Sequence, residues 1–203
     1  MFITFEGPDG SGKTTQLNRL VALLEQEGKS VVRTREPGGT DIGDQIRSVI
    51  MDMKNKKMAP RAEILLFCAS RAQLVEELIR PSLDEGKIIL CDRYADSTMA
   101  YQGYGHGLDR QVLGTLLNFA TGGLKPDLTL LFDVPSGVGL RRRMNNHEEW
   151  NRMDDYELRF HERVRNGYLE LAAAEPERWV VINADRSPDE IFEDVVTVLK
   201  DRL

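Results

Sequence analysis

A glycine-rich run near the start of the chain has the composition and spacing of a loop that binds phosphate. Residues 7 to 14 read Gly-Pro-Asp-Gly-Ser-Gly-Lys-Thr, which fits the pattern G-x-x-x-x-G-K-[ST]. The glycines let successive backbone N–H groups turn toward one point, and the helix that follows adds a partial positive charge there. Lysine can reach the terminal phosphates, and the threonine hydroxyl is a ligand that Mg²⁺ accepts. The run predicts a nucleotide site formed by Gly7, Pro8, Asp9, Gly10, Ser11, Gly12, Lys13 and Thr14.

A second segment with candidate functional residues, Asp92-Arg93, follows the run Lys87–Cys91, which is apolar except at its first residue. An acid that ends a strand beside a phosphate loop can help hold magnesium, so Thr14 and Asp92 are the predicted metal ligands. A simple turn-forming aspartate is the alternative. These parts occur both in kinases and in nucleotide-driven switches such as GTPases. The chain has no Asn-Lys-x-Asp motif for reading guanine, which favours a kinase that uses ATP and Mg²⁺.

The elements that must position these residues alternate between strands and helices. Strand-type runs that are apolar on both faces predict a parallel sheet covered by helices on both sides, and ligands bind such sheets beyond the carboxyl ends of the strands. Pro81 lies in the helical pattern that begins at Pro60 and is expected to kink or end it. The predicted strands are Phe2–Glu6, Ser30–Thr34, Lys87–Cys91, Leu128–Val134 and Trp179–Ile182. The predicted helices are Lys13–Glu27, Asp41–Asp52, Pro60–Leu78, Asp109–Phe119, Tyr156–Ala174 and a last one that begins at Ser187.

Composition is that of an ordinary globular chain. With 203 residues, a single domain that spans residues 1–203 is expected. The net charge of −6 argues against general nucleic-acid binding, which needs a basic face. The first residues lead directly into the phosphate loop, without the basic and apolar regions of a signal peptide, and no apolar run is long enough to cross a bilayer. Cys68 and Cys91 lie in apolar runs and are expected to be buried free thiols. These features predict a cytoplasmic protein with no membrane partner.

The chain resembles the bacterial thymidylate kinases along its whole length. The resemblance rests on the phosphate loop, on the segment Thr34–Thr40 (Thr-Arg-Glu-Pro-Gly-Gly-Thr), on Asp92-Arg93-Tyr94 and on the segment Pro126–Thr129. It implies an α/β P-loop monophosphate-kinase fold with five parallel strands and a small mobile lid. It also implies a homodimer that transfers the γ-phosphoryl group of ATP to dTMP, giving dTDP for DNA precursor synthesis.

The same resemblance implies a pocket for dTMP. Phe67 and Arg71 lie four residues apart, so they share a helical face, where a ring could stack on a pyrimidine beside a donor for its 4-oxo group. From the residues alone, a core phenylalanine and a solvated arginine remain possible. Arg47 and Arg93 would grip the acceptor phosphate with their forked donors, and Tyr101 would occupy the space of a ribose 2′-hydroxyl. The implied pocket consists of Pro37, Arg47, Phe67, Arg71, Arg93, Thr98, Tyr101 and Gln102.

The predicted catalytic residues are Lys13, Arg93 and Asp9, together with an arginine from the lid. Some thymidylate kinases carry an arginine in the phosphate loop just after the acidic residue, where this chain has Gly10. The lid, about residues 142–153, should therefore supply that arginine, and the candidates are Arg152 and then Arg143. The connection 183–186 after the last strand could contact adenine.

Two other functions remain as alternatives at this stage. A deoxynucleoside kinase would phosphorylate a 5′-hydroxyl, but Arg47 and Arg93 suggest an acceptor that already carries phosphate. A nucleotide-dependent switch would leave the acceptor pocket unexplained. The pocket also predicts an order of selectivity: dCMP presents an amino donor to the Arg71 donor and could be rejected roughly 10⁴-fold, whereas dUMP lacks only a methyl group and should be a weak substrate.

Overall fold

The computed structural model describes residues 1–145, 153, 156–200 and 202. Within these residues, five strands form a single sheet, and each strand lies at or within one residue of a predicted run. The strands are β1 (Phe2–Glu6), β2 (Val31–Arg35), β3 (Ile88–Asp92), β4 (Leu128–Asp133) and β5 (Trp179–Asn183). All neighbouring pairs are parallel and the order is β2-β3-β1-β4-β5, so the prediction of a parallel α/β sheet is confirmed.

Helical segments connect the strands. Two of them, Val75–Ile79 and Met99–Gly105, are π-helical and each continues the α-helix before it. A short 3₁₀ turn, Met53–Asn55, follows the second helix. The α-helices are α1 (Lys13–Gln26), α2 (Asp41–Met51), α3 (Pro60–Leu74), α4 (Arg80–Asp84), α5 (Ala95–Thr98), α6 (Arg110–Thr121), α7 (Ser136–Asn145), α8 (Leu158–Ala174) and α9 (Pro188–Lys200).

Helices cover both faces of the sheet because each strand alternates its side chains. On β1, Ile3 and Phe5 point to one face, where they pack with α1 and α9. Phe2 points to the opposite face and packs with Leu74 and Val75 at the end of α3. Farther along that second face, α8 packs on β4 and β5. The sheet is therefore buried on both sides, as its apolar strand sequences require.

Proline did not end the third helix. The helical path that begins at Pro60 passes through the π-helical segment and continues as α4, with Pro81 inside it, to Asp84. Proline lacks the N–H that an α-helix would use at that point, and the wider π-helical turn directly before it changes which carbonyls need partners. The expectation that the pattern would end near Leu78 was wrong by about one and a half turns.

The sequence patterns missed the helical segment between Ala95 and Gly105 and also helix α7. The first of these is rich in glycine, tyrosine and polar residues, which gives it no clear apolar period. It is helical because packing against α8 buries Ala100, Tyr101 and Gly105. Among the described residues, no helix combines the length and the apolar composition needed to span a bilayer.

Candidate active site

The phosphate loop joins the end of β1 to the start of α1. Gly7 and Gly10 have positive φ angles of 140° and 74°. A Cβ atom at Gly7 would lie 2.5 Å from the carbonyl oxygen of Phe132, and one at Gly10 would lie 2.0 Å from that of Gly139. Both positions therefore require glycine for space as well as for backbone conformation. The loop is pressed between the sheet and α7.

Lys13 lies across this loop. Its Nζ donates hydrogen bonds to the carbonyl oxygens of Gly7 (3.0 Å) and Pro8 (2.9 Å) and to the hydroxyl of Ser11 (3.3 Å). Burial lowers the pKa of Lys13 to about 8, and the neighbouring charge of Arg93 acts in the same direction. The ammonium group is thus held at the mouth of the loop, where an anion would gain most from it.

Thr14 and Asp92 meet although they are 78 residues apart in sequence. The Thr14 hydroxyl donates to Oδ2 of Asp92 at 2.6 Å. The contact exists because α1 begins at the carboxyl end of β1 and β3 is the next strand in the sheet. Within the described part of the chain, no three His, Cys, Asp or Glu side chains converge as a metal site of their own. A hydroxyl and a carboxylate fit Mg²⁺, which takes few protein ligands and is otherwise held by phosphates and water.

Arg93 connects the phosphate loop to the opposite wall of the cleft. It has a φ angle of 71°, a left-handed conformation that is uncommon for a residue with a Cβ atom. Its Nη2 donates to Oδ1 of Asp9 at 2.6 Å and to the Tyr101 hydroxyl at 3.2 Å, and its Nη1 donates to the Gly7 carbonyl at 3.1 Å. The sharp turn after β3 thus directs the guanidinium back over the loop.

Asp9 is held as a carboxylate by three neighbours. Burial alone would raise its pKa, but Arg93, Lys13 and the hydrogen bond from the Tyr101 hydroxyl (2.6 Å) outweigh burial and hold the pKa well below its usual range. The charge of Arg143 acts in the same direction. Asp9 therefore fixes the orientation of Arg93 and Tyr101 rather than exchanging a proton near neutral pH.

Arg71 is fully buried, contrary to the alternative of a solvated charge. Its guanidinium is paired with Glu36, with Nε–Oε2 and Nη2–Oε2 distances of 2.9 and 2.5 Å. The same Nη2 donates to Oγ1 of Thr98 at 3.0 Å. Nη1 of Arg71 has no hydrogen-bond partner among the described residues. Glu36, which the sequence analysis did not single out, is joined to Pro37 by a cis peptide bond.

The residues of the implied acceptor pocket all line one cleft of about 900 Å³. Phe67 is half-buried and faces this cleft, so it is not a residue of the closed core. Nη1 of Arg47 donates to the Pro37 carbonyl at 3.0 Å, and Nε2 of Gln102 donates to the buried Glu63 at 2.7 Å. The phosphate-loop residues Asp9 to Thr14 line the same cleft. The cleft also reaches Pro37, Arg47, Phe67, Arg71, Asp92, Arg93, Thr98, Tyr101 and Gln102.

Of the arginines in the segment 142–153, the structure describes Arg142 and Arg143. Arg142 donates to the Ala184 carbonyl at 2.8 Å and pairs with Asp185, so it ties α7 to the connection that follows β5. Arg143 lines the cleft and is close enough to Asp9 to affect its pKa. Arg152 lies outside the described residues.

Sequence reasoning missed several polar residues that support the site. Glu36 and Glu63 hold Arg71 and Gln102, while Glu6 and Tyr168 lie behind Arg93. Glu6 is an acid within an apolar strand, and that mismatch was a usable signal. Nothing in the sequence near Tyr168 separates it from an ordinary core residue of α8, since its partner Glu6 is 162 residues away.

The fold and the cleft together indicate the class of enzyme to which the chain belongs. A phosphate loop at the carboxyl end of the central strand of a five-stranded parallel sheet, facing a cleft wall that carries arginines, is the arrangement of a P-loop phosphotransferase of the nucleotide-kinase type. The family model described as thymidylate kinase matches residues 5–195. The chain belongs to the thymidylate kinase family.

Individual relatives agree with this assignment. The thymidylate kinase of Roseiflexus sp. (strain RS-1) is 49% identical over 211 residues, which cover 98% of this chain and 93% of the relative. The thymidylate kinase of Desulfosudis oleivorans is 53% identical over 190 residues, which cover 91% of this chain and 89% of the relative. Among solved structures, the crystal structure of thymidylate kinase from Ehrlichia chaffeensis matches with a TM-score of 0.80 and 37% identity over 98% of each chain.

Proposed function

We propose that this chain transfers the γ-phosphoryl group of ATP to the 5′-phosphate of dTMP, giving dTDP and ADP. The observation that carries the proposal is the single cleft that contains both the phosphate loop and the wall formed by Phe67, Arg71 and Arg93. Arg93 contacts Asp9 of the loop directly, so the proposed acceptor phosphate and the proposed donor phosphates would meet at this residue.

On the donor side, the loop and Lys13 would hold the β- and γ-phosphates of ATP. Thr14 and Asp92 would hold Mg²⁺, which would neutralise charge on the phosphates during transfer. The connection that Arg142 fixes after β5 would lie against adenine, because it borders the same cleft near Arg186 and Pro188.

On the acceptor side, Phe67 would stack on thymine while Arg71 would donate to its 4-oxo group. The buried Glu36 supports this role because it fixes the guanidinium plane, and Nη1 has no hydrogen-bond partner within the part of the chain that the structure describes. Pro37, Thr98 and Gln102 would complete the walls, and Tyr101 would limit the space at the sugar 2′ position. Arg47 and Arg93 would hold the acceptor phosphate in line for attack.

During transfer, Lys13 and Arg93 would stabilise charge on the phosphoryl group, and Asp9 would keep Arg93 oriented. A further arginine from a lid at about residues 142–153 would approach the same group. Among the described residues of that segment, Arg143 is the favoured candidate because it lies near Asp9, whereas Arg142 is engaged with Ala184.

The test of the reaction is ADP formation from ATP and Mg²⁺ with dTMP, dUMP, dCMP, UMP, thymidine or no acceptor. The proposal expects strong turnover with dTMP, a little with dUMP and almost none with the others. Turnover of thymidine but not dTMP would identify a nucleoside kinase. Turnover that is independent of the acceptor would identify a nucleotide-driven switch and contradict the proposed function.

The lid arginine can be identified by alanine substitution at Arg143 and Arg152 in turn, with Arg142→Ala for comparison. Loss of an arginine that stabilises the transition state should lower kcat about 10³-fold, with a much smaller change in the KM for dTMP. Arg142→Ala should instead raise the KM for ATP. If neither Arg143→Ala nor Arg152→Ala lowers kcat strongly, the catalytic arginine does not come from this segment.

We also propose that the chain forms a homodimer through the helices α2, α3 and α6. These helices lie side by side, with α3 contacting both others, and they carry large exposed apolar residues. Phe119 is 86% exposed, and Leu65 and Val112 are each 57% exposed. Sedimentation equilibrium should give a dimer for the wild type and a monomer for Phe119→Glu, with Val181→Glu on the far edge of the sheet as the control. A wild-type monomer at micromolar concentration would contradict the proposal.

A further inference from the structure

Glu6 is a buried acid at the end of β1, immediately before the phosphate loop. Its side chain has no exposed surface. One carboxylate oxygen, Oε1, accepts the backbone N–H of Tyr94 at 2.7 Å. The other, Oε2, accepts the hydroxyl of Ser97 at 2.6 Å and that of Tyr168 at 2.9 Å. These contacts join β1, the turn after β3 and helix α8 at one point behind the cleft.

The two hydroxyls that donate to Glu6 also contact Arg93. Nη1 of Arg93 donates to Oγ of Ser97 and to the hydroxyl oxygen of Tyr168, each at 3.1 Å. The two hydroxyl oxygens also lie 2.8 Å apart, and either can donate to the other. A hydroxyl has one hydrogen, so a hydroxyl that donates to Glu6, or to the hydroxyl that does, presents its lone pairs to the guanidinium. The carboxylate thereby orients both hydroxyls as acceptors for Arg93.

The backbone contact of Glu6 acts on the same residue. Arg93 has the left-handed φ angle of 71°, and the N–H that Glu6 accepts belongs to Tyr94, the next residue. The N–H of Arg93 itself is held by the carbonyl of Phe5 at 3.0 Å. The turn that places Arg93 is therefore fastened on both sides of its uncommon conformation by consecutive residues of β1.

We propose that Glu6 is a positioning residue for the acceptor phosphate: its carboxylate sets the turn at Arg93 and orients Ser97 and Tyr168 so that the guanidinium points into the cleft. This inference rests on the proposed function, because it assigns to Arg93 the acceptor phosphate of dTMP. Glu6 acts through Arg93 and touches neither substrate.

An uncharged acceptor could satisfy the N–H of Tyr94 at lower energetic cost. Burial raises the pKa of Glu6 to about 7, with the charge of Asp96 acting in the same direction and that of Arg93 opposing it. A carboxylate whose charged form is destabilised by burial lowers the stability of the fold, so its presence calls for a role that an uncharged side chain could not fill. Orienting the hydroxyls of Ser97 and Tyr168 as acceptors for Arg93 is such a role.

The substitution Glu6→Gln tests this role. The amide oxygen would still accept the Tyr94 N–H, but the NH₂ group would donate to the Ser97 and Tyr168 hydroxyls and turn their hydrogens toward Arg93. The affinity for dTMP should fall by about tenfold or more, because Arg93 loses two acceptors. Thymidine lacks the phosphate, so its affinity should change less than about twofold.

The matched control is Asp127→Asn. Asp127 also accepts a backbone N–H of β1, that of Phe2 at 2.6 Å, but at the opposite end of the strand. The substitution Asp127→Asn should leave the affinities for dTMP and for thymidine unchanged. Calorimetric titration of wild type and both variants with dTMP and with thymidine at pH 8, above the pKa of Glu6, gives the comparison. Equal loss of both ligands in Glu6→Gln would show a structural role only, and no loss of either would also overturn the inference.

A second variant keeps the test available if Glu6→Gln does not fold. The double substitution Ser97→Ala and Tyr168→Phe removes both hydroxyls and leaves Glu6 in place. It should give the same selective loss of dTMP affinity, and combined with Glu6→Gln it should add little further loss, because all three act through Arg93. Wild-type protein that neither binds nor phosphorylates dTMP would contradict the proposed function itself. Strong wild-type binding with unselective variants would contradict only the role of Glu6.

Discussion

Charged side chains in this cleft are held by partners that the protein supplies. Lys13 lies on loop carbonyls, Arg93 on Asp9 and Tyr101, and Arg71 on Glu36. Positioning of this kind matters for phosphoryl transfer, in which orientation and charge stabilisation do most of the work. The charge of Lys13 depends on pH, whereas the effect of the Glu36–Arg71 pair depends on its burial.

The first prediction concerns Lys13 and pH. Its pKa of about 8 means that the free protein carries a neutral amine at higher pH, which cannot neutralise phosphate. The value of kcat/KM for ATP, which reports the free protein, should therefore fall about tenfold per pH unit above pH 8. Bound phosphates would keep the lysine protonated, so kcat should fall only at higher pH. Steady-state rates between pH 6.5 and 9.5 check this, and a flat kcat/KM profile would contradict it.

The second prediction concerns the pair of Glu36 and Arg71. Both side chains are at most 3% exposed, and Glu36→Gln would leave a buried guanidinium without its counter-charge. The free energy of unfolding should fall by roughly 3–5 kcal/mol in urea denaturation. Lys125→Ala breaks the exposed pair with Glu175 and should cost less than about 1 kcal/mol. Similar losses in the two variants would show that the buried pair contributes no more than a surface one.

At the scale of elements, α7 and the phosphate loop are in direct backbone contact. A Cβ atom on Gly139 would lie 2.5 Å from the carbonyl oxygen of Asp9, while one on Gly10 would collide with the backbone of Gly139. The two glycines let the helix and the loop approach each other closely. Because of this contact, a shift of α7 would also move the phosphate loop.

Gly139→Ala should therefore disturb nucleotide binding. The new methyl group meets backbone rather than a flexible side chain, so α7 must move away from the loop. We expect the KM for ATP to rise several-fold, with a loss of stability of about 1–3 kcal/mol. In Gly137→Ala, on the same helix, the nearest atom is the Arg141 side chain at 3.8 Å, and this control should be close to neutral. Equal effects of the two variants on the KM for ATP would contradict the argument.

The π-helical segment Met99–Gly105 shows a second effect at this scale. It places Tyr101 and Gln102 at the cleft while Gly105 packs against Phe160 of α8. Segments of this kind often occur at functional sites, because the wider turn changes which side chains face a ligand. Here the segment makes the wall of the proposed acceptor pocket and carries no hydrophobic pattern that would reveal it.

At the scale of the whole molecule, the parallel sheet gathers at one edge residues that are distant in sequence. Glu6, Asp92 and the turn at Arg93 meet because β1 and β3 are neighbours that end at the same edge. The buried charge of Glu6 at this edge also affects the stability of the fold. The titratable or charged groups that face Glu6 are Lys13, Cys91, Arg93, Asp96 and Tyr168.

The pH dependence of the free energy of unfolding should reflect the raised pKa of Glu6. Its pKa rises from 4.5 to about 7 on folding, so the stability it contributes is fully present below pH 4.5 and is lost as the pH approaches 7. The stability of Glu6→Gln relative to wild type should therefore increase between pH 4.5 and 7 and then level off, with a ceiling of about 3 kcal/mol. Urea denaturation of both proteins from pH 5 to 8 measures this difference, and a difference that is constant with pH would contradict the raised pKa.

The phosphate loop, the five strands and the carboxyl ends of the strands as the place for a ligand site could all be predicted from local patterns. These features depend on local backbone demands and on periodicity, which neighbouring residues carry. The resemblance in the segments around Pro37 and Arg93 added the eight residues of the implied pocket, and the structure brings all eight to one cleft.

Long-range contacts, which no local pattern predicts, hold those residues in place. Whether Arg71 is solvated or buried depends on Glu36, 35 residues away, and the orientation of Arg93 depends on Glu6 and Tyr168, which contact each other across 162 residues. The close approach of Gly10 to Gly139 is likewise invisible in either local segment. Contacts of this kind follow from strand order and helix packing, and no local pattern in one sequence specifies which distant side chains will meet.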